Sequence, residues 1–286
     1  MGFSITDVAL TGFGVVQRRP AVVLAWAGLQ LVVTVLATLA VGPLANALFA
    51  LPRDALQDPA RIQAALSPYA ANADLAWLLL IPVNAVLNAA MNRAVMQPDQ
   101  DRYGYLRMGL DELRQLGLIL ILMAMVFFAA TLAGVLVTAA DGSAALAATL
   151  LFGGLGLWVW LGLRLSLASA LTFDTGRIDL QGAWRLSQGR AASMLAAYAL
   201  SLGLCALVFI LCSAVIEAAI SVAALLPGGA IAQAHVPTSL AEFLRPGELV
   251  NLLLSSVAVG LIWPVWMTPP AAIYRQLRDT AASPSR

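Results

Sequence analysis

The chain has 286 residues, of which 61% are hydrophobic and only 11% are charged, and its mean hydropathy is +0.86. Soluble domains carry about 25% charged residues, so this composition excludes a protein with a polar, water-facing surface and predicts an integral membrane protein. The formal net charge of +1 gives no support for nucleic-acid binding. All sixteen basic residues are Arg, which indicates a GC-rich, bacterial genome.

Six apolar runs are long enough to cross a bilayer, because a hydrocarbon core of about 30 Å takes about 20 helical residues. The runs are unbroken rather than alternating, which predicts helices and not barrel strands. In chain order the predicted spans are Ala21–Val41, Leu75–Ala94, Leu116–Ala139, Ala144–Leu165, Ala191–Leu211 (with a helical pattern that continues to about Leu225) and Leu249–Thr268. We expect Gly42 and Pro43 to stop the first span, a short helix near Pro59–Leu66, and a turn over Ala140–Ser143.

The first apolar run begins too late and is too long for a signal peptide, and no long polar stretch follows any run. We therefore expect a complete protein forming one integral membrane domain over residues 1–286, without an appended soluble domain.

Arginines near the span ends predict its orientation. With the N-terminus in the cytoplasm, thirteen arginines lie inside, and only Arg53, Arg61 and Arg245 lie outside. The thirteen are Arg18, Arg19, Arg93, Arg102, Arg107, Arg114, Arg164, Arg177, Arg185, Arg190, Arg275, Arg278 and Arg286. Six spans then place both termini in the cytoplasm of a bacterial cell.

A similar amphipathic segment precedes each outward-going span and ends in an apolar residue, one more residue and Gln. The three copies end at Gln17, Gln115 and Gln188. Short amphipathic helices with aromatic residues and Arg are typical of the membrane interface. The sequence thus predicts an all-α polytopic bundle of three hairpins with interfacial helices, in repeat-like units of about 1–97, 98–171 and 172–278, with a flexible tail over 279–286.

Three stretches resemble a bacterial family of membrane proteins: Gly162–Leu171 (GLRLSLASAL), Ala183–Arg190 (AWRLSQGR) and the closing Ala271–Arg278 (AAIYRQLR). They are similar to the multi-span membrane domain of some glycerophosphodiester phosphodiesterases and of related uncharacterised membrane proteins. The resemblance implies a six-helix membrane domain without an assigned reaction. In that family catalysis belongs to a separate soluble barrel, which this chain lacks, so the resemblance does not predict phosphodiesterase activity.

Polar residues inside lipid are candidates for function because they are costly there. Asn84, Asn88 and Asn92 recur every four residues on span two and form one helical stripe. The stripe either lines a polar path for a solute or hydrogen-bonds neighbouring helices. Glu217 is the acidic residue of span five; we place it near the outer interface, with proton coupling as the alternative.

Four arginines are candidate contacts for lipid headgroups: Arg93, Arg107, Arg164 and Arg185. A guanidinium matches a phosphate through two parallel hydrogen bonds, although ordinary snorkelling to the interface also explains Arg93 and Arg164. The lone His235 makes no metal site, and the sequence contains no nucleophile elbow or phosphate-binding loop. We therefore predict no cofactor and no enzymatic activity.

The leading hypothesis is a non-enzymatic membrane module that organises membrane lipids or partner membrane proteins. The alternative is a small-solute transporter or permease that uses the Asn stripe. The sequence does not predict a substrate, a specific partner or an oligomeric state.

Overall fold

The structure is a computed structural model, which describes residues 3–55, 58–99, 102–139, 143–226 and 235–282. Across those ranges the chain is helical and forms no strand. The helices are α1 (Ile5–Arg18), α2 (Pro20–Phe49), α3 (Pro59–Leu66), α4 (Ala70–Met96), α5 (Leu110–Ala139), α6 (Ala144–Leu165), α7 (Ala168–Thr175), α8 (Leu180–Ser187), α9 (Ala191–Ala223), α10 (Leu240–Phe243), α11 (Pro246–Met267) and α12 (Pro269–Ala282). Six helical segments are long and apolar enough to span a membrane, one on each predicted span. The predicted all-α polytopic membrane fold is confirmed.

Several predicted boundaries agree with the structure. Helix α6 has the predicted bounds, and α9 continues well beyond the minimum span, to Ala223. The predicted short helix is α3, which begins where the Asp58 carboxylate accepts hydrogen bonds from the amides of Ala60 and Arg61. Such an N-cap satisfies amides that have no partner within the helix. Residues 140–142 of the predicted turn lie outside the described residues, but Ser143 caps α6 by accepting from the Leu146 amide.

The prediction that Gly42 and Pro43 end the first span is wrong. Helix α2 continues through both residues to Phe49. Proline removes only one backbone donor from a helix, and in a membrane-spanning helix neighbouring groups readily compensate for such a loss. The carbonyl that Pro43 leaves without its helical donor is that of Leu39, and the next carbonyl, that of Ala40, accepts a hydrogen bond from the Asn72 side-chain amide at 2.9 Å.

The second amphipathic segment is not a separate helix. A short 3₁₀ turn over Arg102–Tyr105 precedes it, with Tyr103 and Tyr105 in the left-handed region at φ 54° and 64°. The rest of the segment forms the first turns of α5, which begins at Leu110. Of the predicted tail, residues 279–282 belong to α12, and residues 283–286 lie outside the described residues.

The described chain divides into two compact units. The first unit comprises residues 1–15, 85–202 and 265–286, and the second comprises residues 16–84 and 203–264. The predicted repeat units of about 1–97, 98–171 and 172–278 stay a prediction. Helices α1, α4, α9 and α11 each contribute residues to both units.

The first unit has a core of small and aliphatic side chains. Buried members include Val8 of α1, Leu118 of α5, Leu167 and Ala170 next to and on α7, and Ile273 of α12. Helix α1 therefore packs one face into protein, and the amide of Ser4, which directly precedes the helix, donates to the Gln276 side chain at 2.8 Å. Small residues at these contacts let helices approach closely, which favours packing in membranes.

Polar contacts also join α7 to α12 in this unit. The Tyr274 hydroxyl donates to one Asp174 carboxylate oxygen at 2.7 Å, and Arg278 binds the other at 2.8 Å. Asp174 therefore has both oxygens occupied.

The second unit is held by close backbone approaches at glycine. A Cβ added at Gly260 of α11 would lie 3.2 Å from the carbonyl oxygen of Val23 on α2. The segment after residue 234 packs on α2 in the same manner. Asn46 donates to the Val236 carbonyl at 2.9 Å and accepts from the Val236 amide at 2.7 Å.

Candidate functional site

Arg93 of α4 lies at the centre of a buried polar cluster in the first unit. Its side chain is 3% exposed, and one terminal nitrogen donates to Glu112 Oε1 at 2.8 Å. The other donates to the carbonyl oxygen of Tyr105 at 2.7 Å. Asp111 lies 3.5 Å away, and the guanidinium carbon lies 5.5 Å from the ring centre of Phe173. The arginine therefore binds protein groups, whereas the sequence analysis offered a lipid phosphate or snorkelling to the interface as its alternatives.

The left-handed turn before α5 makes this cluster possible. It holds Tyr105 so that its carbonyl accepts from Arg93, while its hydroxyl donates to the Pro98 carbonyl at 2.8 Å. The first turn of α5 then supplies Glu112, which is 6% exposed. A buried charge needs both a counter-charge and further hydrogen bonds, and Arg93 has both.

A chain of amides and a hydroxyl extends the cluster to α7. Asn92 donates to the Ser169 hydroxyl at 2.8 Å, and that hydroxyl donates to Gln115 Oε1 at 2.9 Å. The Gln115 amide in turn donates to the Ser169 carbonyl at 2.9 Å. Asn92 and Gln115 are both buried. The polar cluster, defined as Asn92, Arg93, Glu112, Gln115 and Ser169, therefore joins three helices through satisfied hydrogen bonds, which favours a structural role.

The other members of the Asn stripe have different surroundings. The Asn84 side chain is exposed and donates to the carbonyl of Leu80 in its own helix at 3.0 Å. Asn88 is half-buried and has its own interaction. Only Asn92 belongs to the polar cluster. The transporter hypothesis remains a prediction, and the described contacts of Asn84 and Asn92 are those of side chains that bind protein.

Glu217 lies on an exposed face of α9, six residues before the helix ends at Ala223. Its backbone carbonyl accepts from the Ser221 hydroxyl at 2.8 Å. Its position at the outer interface stays a prediction.

Arg164 of α6 lies between two tryptophan rings. Its guanidinium carbon is 5.5 Å from the ring centre of Trp160 and 5.6 Å from that of Trp184 on α8. The two rings pack edge to face, with centres 4.9 Å apart. Two of its nitrogens, Nε and Nη1, are buried, and no described residue accepts a hydrogen bond from them. A buried N–H without an acceptor costs about 1–3 kcal/mol and more for a charged group, and the two ring faces offset part of that cost by attracting the charge.

Arg107 and Arg185 are exposed. Arg185 lies on α8, whose Ala183 and Ser187 are buried in the first unit. Helix α8 therefore has one face packed on protein and presents an arginine on another, as the amphipathic pattern predicts.

An apolar groove, the α5/α6 groove, runs between these two spans. Its part nearer α7 has a volume of about 300 Å³ and includes Ser166 and Ser169 in its lining. A second part of about 800 Å³ extends to Thr138 and Leu150. Both parts share Leu161 and three other lining residues, Val126, Ala129 and Trp158. Asn84, Asn88 and Asn92 line neither part.

The described residues contain no group of three or more His, Cys, Asp or Glu side chains able to hold a metal ion. Sequence reasoning did not single out Glu112 and Gln115 as site residues. A signal for Glu112 exists: Arg93 near the end of one span and Glu112 near the start of the next are opposite charges at facing ends of consecutive antiparallel helices.

Comparisons with protein-family models, with curated proteins and with solved structures gave no match to this chain.

Proposed function

We propose that the chain is a non-enzymatic module of the bacterial cytoplasmic membrane, with both termini in the cytoplasm, that binds anionic lipid and organises lipid or partner membrane proteins around it. The observation that carries the proposal is the setting of α8. This amphipathic helix is fixed on the first unit through Ala183 and Ser187, and it presents exposed Arg185. Amphipathic helices with Arg and aromatic residues bind interfaces that contain anionic lipid.

Arg107 supports the same interpretation, because it lies exposed in the loop between α4 and α5. Each basic residue close to an anionic membrane surface contributes about 1 kcal/mol of attraction. The resemblance to the membrane domain of glycerophosphodiester phosphodiesterases stays a prediction, and the proposal does not depend on it.

The test measures anionic lipid that co-purifies with the protein in mild detergent, by quantitative mass spectrometry. Arg107→Ala with Arg185→Ala is expected to lower retention severalfold, since about 1 kcal/mol corresponds to about fivefold in binding. Arg61→Ala is the matched control: Arg61 is also exposed, but it lies on α3, which the arginine bias places on the opposite side of the membrane. Equal retention in the double variant and the wild type would contradict the proposal.

A further inference from the structure

The first turns of α5 have buried polar side chains and exposed leucines. Glu112 is 6% exposed and Gln115 is 1% exposed, and both bind other members of the polar cluster. Leu110 and Leu113, by contrast, are 67% and 62% exposed. A surface helix of a water-soluble protein has the opposite arrangement, with its apolar side against the protein. The outward side of α5 therefore matches an apolar medium rather than water at this end of the helix.

The two leucines belong to a larger apolar surface. They are three positions apart and so are neighbours on one helix face, which Gly117 continues one turn later. A Cβ added at Gly117 would lie 3.3 Å from Ile178 Cδ1, so Ile178, which is itself 38% exposed, packs over that glycine. Met108, two residues before α5 begins, is 92% exposed. We call Met108, Leu110, Leu113 and Ile178 the entry patch.

The leucines of the entry patch lie just beyond the apolar core of the span. Helix α5 has 30 residues, or about 45 Å at the rise of an α-helix, whereas the hydrocarbon core of a bilayer is about 30 Å thick. Measured from the predicted start of the span at Leu116, Leu113 is about 4.5 Å outside and Leu110 about 9 Å outside along the helix axis. The headgroup region on each side of the core is about 5–8 Å thick. Leu113 therefore lies at the depth of the headgroups, and Leu110 lies near their outer edge.

The exposed face of α5 continues from the entry patch into the membrane-spanning part. Leu113, Leu120 and Phe127 recur every seven residues, a spacing that keeps them on one side of a helix. Leu120 and Phe127 are both exposed, and at their depth the exposed surface of a span meets lipid. This continuity favours lipid over a protein partner as the medium that covers the patch.

The charged groups around the entry patch allow it to enter the headgroup region. Asp111 is paired with Arg114 at 2.9 Å, and Glu112 is paired with Arg93 at 2.8 Å. Arg107, in the loop just before the patch, is exposed, and its side chain is long enough to reach lipid phosphate while apolar neighbours lie deeper. The patch itself is uncharged, and the carboxylates of the adjoining turn are paired.

We propose that the entry patch is inserted in the leaflet at which α5 begins, with its side chains among the glycerol groups and first acyl carbons of phospholipids. The partner is the bilayer itself. The proposed function concerns the charge of lipid headgroups, whereas this contact uses the apolar part that neutral and anionic phospholipids share.

The test places an environment-sensitive fluorophore on single cysteines in a Cys205→Ala, Cys212→Ala background. The full chain is reconstituted in nanodiscs of phosphatidylcholine with one copy in each disc. Leu113→Cys and Met108→Cys report on the patch, and Phe127→Cys is the reference for a label deep in lipid. Gln97→Cys is the matched reference for water, because Gln97 is an exposed polar residue of the loop between α4 and α5.

We expect phospholipids that carry a nitroxide near the headgroup to quench the labels at Leu113 and Met108 severalfold more strongly than the label at Gln97. Iodide in the water should show the reverse order. If the labels at Leu113 and Met108 behave as the label at Gln97 does, the patch lies in water and the proposal is wrong. Leu113 is exposed, so its replacement removes no buried contact, and Met108→Cys provides the same measurement from the loop if Leu113→Cys folds poorly.

Two further measurements identify a protein that covers the patch in place of lipid. If iodide reaches the labels with one copy in each disc but not with two, a second copy of the chain covers the patch. If iodide reaches them in nanodiscs but not in native membranes, a different protein covers it. Either result would overturn insertion in the leaflet.

The outcome is independent of the test of the proposed function, because phosphatidylcholine carries no net charge. If the Leu113 label lies in lipid while Arg107→Ala with Arg185→Ala retains anionic lipid, the inserted patch stands and the proposed function is wrong. If the Leu113 label lies in water while that double variant loses anionic lipid, the proposed function stands and the inserted patch is wrong.

Discussion

Arg93 and Glu112 form an ion pair that is almost completely removed from solvent, with side chains 3% and 7% exposed. Their mutual attraction is offset by the cost of removing both charges from water, so such a pair contributes little net stability. Its effect is on specificity: only the arrangement of α4, the left-handed turn and α5 described above supplies every partner of Arg93. Removing a single partner leaves an uncompensated buried charge.

Glu112→Gln should therefore destabilise the protein by about 3–5 kcal/mol, the usual effect of breaking a buried ion pair. Asp111→Asn is the control, because Asp111 is 38% exposed and 3.5 Å from Arg93, and we expect it to cost under about 1 kcal/mol. The measurement is the free energy of unfolding in a denaturing-detergent titration. Equal losses for the two variants would show that burial of the pair does not govern its contribution.

Replacing both members of the pair tests whether the destabilisation comes from leaving one buried charge without its partner. Arg93→Leu combined with Glu112→Leu should be less destabilising than Glu112→Gln alone, since apolar pairs of similar volume often replace buried ion pairs at little cost. A double variant that is less stable than the single variant would mean that the hydrogen bond to Tyr105 matters more than the charge.

Contacts of individual residues were the features that the sequence predicted least well. A charged residue in an apolar span is costly, which singles out Arg93. Its burial, however, depends on a turn with two tyrosines at positive φ, which no local propensity predicts. Arg164 was a candidate lipid contact from its position alone. Its unpaired nitrogens became visible only with the Trp184 ring of another helix in place.

At the scale of elements, the close contact between α2 and the segment after residue 234 depends on Gly42. A Cβ there would lie 2.8 Å from the Pro237 carbonyl oxygen, a backbone atom that cannot move without displacing Val236 from Asn46. Gly42→Ala should therefore destabilise the protein by about 1–3 kcal/mol through overpacking.

Gly28→Ala provides the control for Gly42→Ala within the same helix. No heavy atom lies within 4 Å of its Cβ position, so the better helix propensity of Ala should leave stability unchanged or raise it by up to about 1 kcal/mol. Thermal unfolding in detergent measures both variants. A Gly42→Ala protein as stable as Gly28→Ala would show that the segment does not pack there.

The turn before α10 depends on the charge of Glu242. The Thr238 amide donates to its carboxylate at 2.7 Å, and His235 Nε2 lies 3.3 Å away. The Thr238 hydrogen bond lowers the pKa of Glu242, with a smaller contribution from His235. The folded-state pKa is therefore below the unfolded value of about 4.3. The resulting stability is present above that value and is lost as the pH falls through the folded-state pKa.

Hydrogen exchange of the Thr238 amide can measure this dependence. Glu242→Gln should exchange faster than the wild type at neutral pH, and the two proteins should converge as acid protonates Glu242. Glu217→Gln, on an exposed face of α9, should match the wild type at every pH. A difference between Glu242→Gln and the wild type that persists unchanged into acid would rule out a charge effect.

Elements were the most predictable level of this fold. The bilayer requires a long apolar run at each span, so composition alone located six helices, and α6 has the predicted bounds. The errors lie at helix boundaries. Helix α2 continues through Gly42 and Pro43 to Phe49, and the segment before Gln115 is part of α5 rather than a separate helix.

At the scale of the whole molecule, an even number of spans places both termini on the same side of the membrane. Which side that is follows from the arginine distribution, because basic loops are retained in the cytoplasm. With thirteen arginines against three, an inverted molecule would have to move most of its positive charge across the bilayer. In the orientation that we propose, Arg107 and Arg185 lie at the cytoplasmic leaflet, where anionic lipid is concentrated.

Single cysteines at exposed glutamines test this orientation in a Cys205→Ala, Cys212→Ala background. Gln97 follows α4, Gln188 follows α8, and Gln63 lies on α3; all three are exposed. A membrane-impermeant thiol reagent applied to spheroplasts should label Gln63→Cys directly, and should label Gln97→Cys and Gln188→Cys only after permeabilisation.

Labelling of all three from outside would indicate leaky membranes and is checked with a cytoplasmic marker protein. Gln97→Cys and Gln188→Cys labelled from opposite sides would mean an odd number of crossings between them, and the six-span topology would then be wrong. The reverse pattern, with only Gln63→Cys protected, would keep six spans but place Arg185 at the other leaflet. Because the arginine bias is the whole basis for the direction of threading, that result would also separate Arg107 and Arg185 from the leaflet whose charge they are proposed to recognise.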